Sequence, residues 1–214
     1  MRFPMTLPRR SLLLAPLAAA VLPPPRARAD EDPLLAPRAI GSASAPVTVR
    51  EYFSLTCPHC ARFAAETLPQ IRKELIDTGK LRWVYEDFPL DQVALTAAMV
   101  ARALPPARYE PFVLALLQSQ DRWAFARDVN NTAEIGKMAA LAGMSHDTFE
   151  KTISDTKLRD AILSGQDQAE KQYHVDSTPT FIFSGPAQKD RRESGEMTYD
   201  AFAKAVAEVA GTAG

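Results

Sequence analysis

Glu51-Tyr52-Phe53-Ser54-Leu55-Thr56-Cys57-Pro58-His59-Cys60 is the stretch on which the fold turns. It closes a β-branched and aromatic run, Val47-Thr48-Val49-Arg50-Glu51-Tyr52-Phe53, that reads as a mostly buried strand ended by polar Ser54. From Pro58 onward Phe63, Leu68, Ile71 and Leu75 recur at helical spacing, with Pro69 as a kink and Gly79 as a stop. Cys57 therefore stands where a strand hands over to a helix N-terminus.

Leu81 to Phe88 alternates and then meets Pro89, a second strand that the intervening helix makes parallel to the first. Residues 91–172 are helix-patterned almost throughout: Val93 to Leu104, Tyr109 to Gln118, a stretch opened by Asn131-Thr132-Ala133-Glu134, and Leu158 to Tyr173. About eighty residues of such pattern between strands read as an inserted helical subdomain. Thr180 to Phe183 then forms a short strand, a poorly patterned partner falls near Arg192 to Met197, and Thr198 caps a last helix with Phe202, Val206 and Val209 on one face. The expected class is α/β, with 47–90 and 173–214 forming one domain around the insert.

The two ends of composition differ. Arg2, Arg9 and Arg10 precede the apolar run Ser11 to Leu22, and Ala27-Arg28-Ala29 follows, the layout of a signal peptide over residues 1–29. The run is shorter than the roughly 20 residues of a membrane span and contains Pro16, which weighs against a retained anchor. The Arg9-Arg10 pair gives partial likeness to a twin-arginine signal and leaves the export route open. Residues 30–46, rich in Pro, Ala and Ser, read as a flexible lead-in. Residues 1–29 hold five arginines and no acid, so their removal takes the formal charge from −1 to −6. No basic patch with interleaved aromatics stands out, which argues against a nucleic-acid partner.

Cys57 and Cys60 are the only cysteines, too few for a disulfide framework. In an oxidising compartment a lone close pair suits redox chemistry. A zinc site would need four ligands, and His59, His146 and His174 are the only imidazoles, so no metal is expected. At a helix N-terminus the unpaired amides and the helix dipole favour a Cys57 thiolate, whose ordinary pKa is ~8.5. Cys60, one turn inside, is shielded and resolves. Pro58 presets the first turn, and His59 adds a dipole or a cation beside the sulfur.

The order of strand, CPHC on a helix, strand, helical insert, then Ser177-Thr178-Pro179-Thr180 opening a strand resembles the DsbA-like branch of the thioredoxin superfamily over about residues 45–210. The resemblance implies a thioredoxin-like fold with an inserted helical subdomain. It implies protein thiol-disulfide oxidoreductase activity without a cofactor, most directly oxidation of exported proteins in the periplasm. It further implies that Thr178-Pro179 is a cis bond beside the disulfide and that Thr178 presents backbone groups to a bound peptide. Glu51, six positions before Cys57, would be a buried carboxylate that exchanges protons with Cys60; the alternative is a partly exposed strand acid. A DsbB-like membrane protein would reoxidise the pair, and the protein would be a monomer. Thr178 is similar to the isomerase branch, where oxidases usually carry Val, and Ala64-Ala65 replaces acidic residues of DsbA. An isomerase or reductase of the same fold, and a peptide-binding chaperone-like module, are the alternatives.

Overall fold

The computed structural model describes residues 32–212. The signal-peptide reading of residues 1–29 lies outside them. Five strands form one mixed sheet: β1 (Arg38–Ile40), β2 (Val47–Phe53), β3 (Leu81–Asp87), β4 (Thr180–Ser184) and β5 (Arg191–Ser194), in the order β1-β3-β2-β4-β5. β2 and β3 are parallel, with Val47 opposite Leu81 and Phe53 opposite Asp87, as the helical crossover between them requires. The other pairings are antiparallel.

α1 (Pro58–Glu66) and α2 (Leu68–Ile71) make that crossover, followed by a π-helical turn at Arg72–Ile76. The break falls at Thr67, two residues before Pro69, whose ring and missing N–H deny α1 its next hydrogen bond. Between β3 and β4 come α3 (Gln92–Ala103), α4 (Pro106–Gln118), α5 (Gln120–Trp123), α6 (Asn131–Leu141), α7 (His146–Ile153) and α8 (Thr156–Tyr173). α9 (Tyr199–Ala210) follows β5, with Thr198 Oγ1 accepting from the Ala201 N–H as N-cap. None of the described helices is long and apolar enough to cross a membrane.

Period-two alternation divides β2 between two faces. Val49 and Phe53 join the main core with Phe63 of α1, Trp83, Phe181 and Phe202, where the Phe63–Phe181 and Phe183–Phe202 rings lie 4.7 and 4.9 Å apart. Tyr52 joins Ile182, Phe88 and Ala169 of α8 in a smaller cluster. Glu51 has the parity of Val49 and Phe53, so an acid occupies a core position and is only 3% exposed. The partly exposed alternative for Glu51 does not hold.

The flexible lead-in expected over 30–46 needs correction over its described part, residues 32–46. Pro33–Leu35 is a 3₁₀ turn capped by Asp32, and β1 adds antiparallel to β3 at the sheet edge. Its anchor is side-chain chemistry far along the chain. Arg102 of α3 donates to the carbonyls of Leu34 and Ala36, while Arg38 Nη2 donates to the Arg102 carbonyl at 2.5 Å. Arg102 is itself buried and paired with Asp87 at the end of β3. A three-residue strand carries no readable alternation, and this anchor shows no local sequence pattern. The poorly patterned strand expected near Arg192 to Met197 is β5, which runs from Arg191 to Ser194.

Candidate active site

The loop Ser54–Cys57 is held before it presents the pair. Ser54 Oγ and Thr56 Oγ1 lie 3.2 Å apart, the Cys57 N–H donates to the Ser54 carbonyl at 3.1 Å, and the Leu90 N–H donates to Ser54 Oγ at 3.3 Å. Cys57 then serves as the N-cap residue of α1 in an extended conformation, and Pro58 fills the first helical position, where its missing N–H costs nothing. Pro58 and His59 are exposed, Cys57 is 4% exposed and Cys60 is fully buried. The contrast in access is narrower than the sequence suggests: only an edge of Cys57 meets solvent.

Cys57 Sγ lies 3.3 Å from the Thr178 carbonyl oxygen, and Thr178-Pro179 is a cis peptide bond. The turn is built into the sheet: Thr180 Oγ1 donates to the Ser177 carbonyl at 2.7 Å, the Gly195 N–H donates to the Pro179 carbonyl at 2.8 Å, and Arg192 pairs with Asp176 at 2.7 Å. The Thr178 hydroxyl is buried without a hydrogen-bond partner.

These surroundings separate the two thiols. A hydrogen bond from Cys60 lowers the Cys57 pKa to about 5 against the cost of burial, helped by the Cys60 and His59 amides. Burial, then the same hydrogen bond and the charges of Glu51 and Cys57, push Cys60 well up. Glu51 is raised to about 8, first by burial and further by the Cys57 charge. The site thus combines a favoured thiolate, a protonated partner thiol and a carboxyl that changes charge near neutrality.

Glu51, Pro58, His59, Thr178 and Pro179 all surround Cys57 and Cys60. Four further residues went unread in the sequence. Glu196 accepts from His59 Nδ1 and pairs with Arg62 at 3.1 Å; Asp91 and Thr56 are hydrogen-bonded at 2.6 Å; and Gln120 contacts the loop. Only Asp91 had a legible signal, as an N-cap ahead of α3. Among the described residues no group of three or more His, Cys, Asp or Glu could hold a metal ion.

A family model described as thioredoxin matches residues 35–208. The chain belongs to the thioredoxin family. Within that family it is similar to alpha-DsbA1 of Wolbachia pipientis, with 28% identity and a TM-score of 0.74, covering 89% of this chain and 94% of that one. BdbD of Bacillus subtilis, at 19% identity and TM-score 0.70 over 82% and 93% of the two chains, shares the fold. The fold is therefore DsbA-like, thioredoxin with a helical insert. A Rickettsia typhi protein named "Putative protein-disulfide oxidoreductase" is 30% identical over 148 residues, 68% of this chain and 54% of that protein. This thioredoxin-family chain spans about half the length of the curated Rickettsia relatives it matches.

Proposed function

We propose that this chain is an exported protein thiol-disulfide oxidoreductase, acting chiefly as a disulfide oxidase. The carrying observation is the divided pair: Cys57 lowered to about 5 beside a Cys60 thiol pushed well up. A low-pKa thiolate stabilises the reduced protein, which makes its disulfide oxidising.

In the oxidised protein a substrate thiolate attacks Cys57 Sγ, the Cys57–Cys60 bond breaks, and Cys60 leaves as a thiolate that takes a proton, with Glu51 as its source. A second substrate thiolate then attacks the substrate sulfur of the mixed disulfide and expels Cys57. Two electrons pass from the substrate dithiol to the cysteine pair, so no cofactor is required. Pro58 and His59 form the exposed rim, and Thr178 and Pro179 offer backbone to an extended peptide beside Cys57. In this reading 47–90 with 173–214 form the thioredoxin-like part and 91–172 the helical insert.

The arginine-led leader over residues 1–29 supports export to the periplasm, and the names of the Wolbachia and Rickettsia proteins support the reaction class. Exported folding proteins are the substrates, a DsbB-like membrane protein is the reoxidant, and the protein acts as a monomer. Oxidation of a reduced dithiol peptide by stoichiometric oxidised protein tests the proposal. Transfer should be complete and should vanish in Cys57→Ser. Efficient reshuffling of scrambled disulfides by the reduced protein, without net oxidation, would replace the oxidase with an isomerase.

A further inference from the structure

The helical insert grips the active-site loop at two points that the exchange chemistry leaves unused. Gln120, the first residue of α5, is only 7% exposed, and its amide turns onto the loop. Nε2 donates to the Leu55 carbonyl at 2.8 Å and to the Cys57 carbonyl at 3.0 Å. The Cys57 carbonyl also accepts the Ala61 N–H at 3.2 Å, the first hydrogen bond of α1. The second grip is Thr56 Oγ1, which donates to Asp91 Oδ2 at 2.6 Å, while Asp91 Oδ1 caps α3 by accepting from the Ala94 N–H at 2.7 Å.

α5 is a short support, yet its C-terminal end is fixed to α4 and α6. Trp123 is buried and donates through Nε1 to the Leu116 carbonyl at 2.8 Å; Asn131 Nδ2 donates to the Trp123 and Ala124 carbonyls at 2.7 and 3.1 Å. The Gln120 amide is therefore presented from a set position, with donor capacity committed to the loop.

The consequence for Cys57 follows from covalent geometry. Its carbonyl belongs to the peptide plane joining it to Pro58, so pinning that oxygen fixes the backbone rotation at Cys57, which holds ψ at 118°. The direction of Sγ relative to the His59 and Cys60 amides, whose hydrogen bonds favour the thiolate, depends on that rotation. Hydrogen bonds weaken steeply with angle, so a modest rotation of the cap residue would forfeit them.

We infer that Gln120 is a positioning residue for thiol-disulfide exchange, the contact through which the helical insert fixes the backbone at Cys57 and aims its sulfur. The inference rests on the proposed role of Cys57 as the attacked and leaving sulfur. Glutamine suits the position because its amide offers two donors at the end of a chain long enough to reach the loop. Leucine or methionine would fill the space without donors, and glutamate would set a carboxylate against two carbonyl oxygens.

The test is Gln120→Met, which keeps the length and bulk and removes both donors. Thiolate absorbance against pH and equilibrium with glutathione are measured on the full chain, with thermal unfolding as a check on folding. The Cys57 titration midpoint should rise by about half a pH unit or more, and the glutathione equilibrium should shift about threefold or more towards the protein disulfide. A folded variant with unchanged midpoint and equilibrium would overturn the inference, because a merely structural glutamine would lower stability alone. Should the variant fail to fold, the unaltered protein labelled with ¹⁵N-glutamine decides the matter. The Gln120 side-chain amide resonances should move between the oxidised and reduced protein, and resonances indifferent to redox state would overturn it. Failure of the unaltered protein to equilibrate with glutathione would instead sink the proposed function itself.

Discussion

Cys57 Sγ lies 3.3 Å from the carbonyl oxygen of Thr178, a residue 121 positions later in the chain. The sheet order makes this meeting unavoidable: β2 ends at Phe53 just before the cysteines, and β4, its antiparallel neighbour, begins at Thr180 just after Thr178. Two loops from adjacent strands thus share one end of the sheet, beside the N-terminus of α1.

The first prediction concerns which thiol reacts. At about pH 6 a thiol with a midpoint near 5 is about nine-tenths thiolate, whereas an ordinary thiol is under about one-hundredth ionised. Limited alkylation of the reduced protein at that pH, read by mass spectrometry, should label Cys57 far ahead of Cys60. Equal labelling, or Cys60 first, would reverse the roles.

Glu51 carries the second. Its carboxyl is raised to about 8 in the folded protein against an ordinary value of 4.5, so the native state keeps a proton that the unfolded chain releases. Stability should therefore fall as pH rises from about 4.5 to about 8, and Glu51→Gln should remove that fall. Measured on the oxidised protein, where Cys57 carries no charge and burial alone raises Glu51, the variant should gain on the parent by on the order of 1–3 kcal/mol between those limits. Its disulfide exchange should slow at least about threefold at neutral pH. A pH-independent stability difference together with unchanged exchange would confine Glu51 to packing.

Two contacts made by carboxylates give a third prediction by contrast. Arg102–Asp87 is buried, with the guanidinium also serving two lead-in carbonyls, while His59–Glu196 is exposed on the His59 side. Removing one partner of a buried pair strands the other, so Arg102→Leu should cost roughly 3–5 kcal/mol in denaturant unfolding. Glu196→Gln should cost under about 1 kcal/mol. Comparable losses would mean that burial does not set the difference.

Elements with strong local patterns were legible in the sequence. β2 could be read from its β-branched and aromatic run, β3 from alternation, α9 from Thr198 and its apolar face, and Cys57 at the head of α1 from Pro58 and the preceding strand. What escaped depends on distant partners. β1 is only three residues long and leans on Arg102 sixty-odd positions away, and α4 starts at Pro106, whereas apolar spacing is visible only from Tyr109. α5 and α7 are four and eight residues long, too short for periodicity to announce them. In the site the motif residues were legible, since Cys57, Cys60 and Pro179 carry the resemblance to the DsbA-like branch. Gln120 and Glu196 lie on unmarked stretches and meet the motif only through the fold, which no local pattern encodes.

Equilibrium of the Cys57–Cys60 pair with a graded glutathione buffer tests the central claim most directly, because the division between the two thiols must appear in the potential. If the low-pKa Cys57 thiolate stabilises the reduced form as argued, the potential should be less negative than about −200 mV, towards the oxidising end of the thioredoxin-fold range. A potential near −270 mV, the reducing end, would contradict the account and make the protein a reductant.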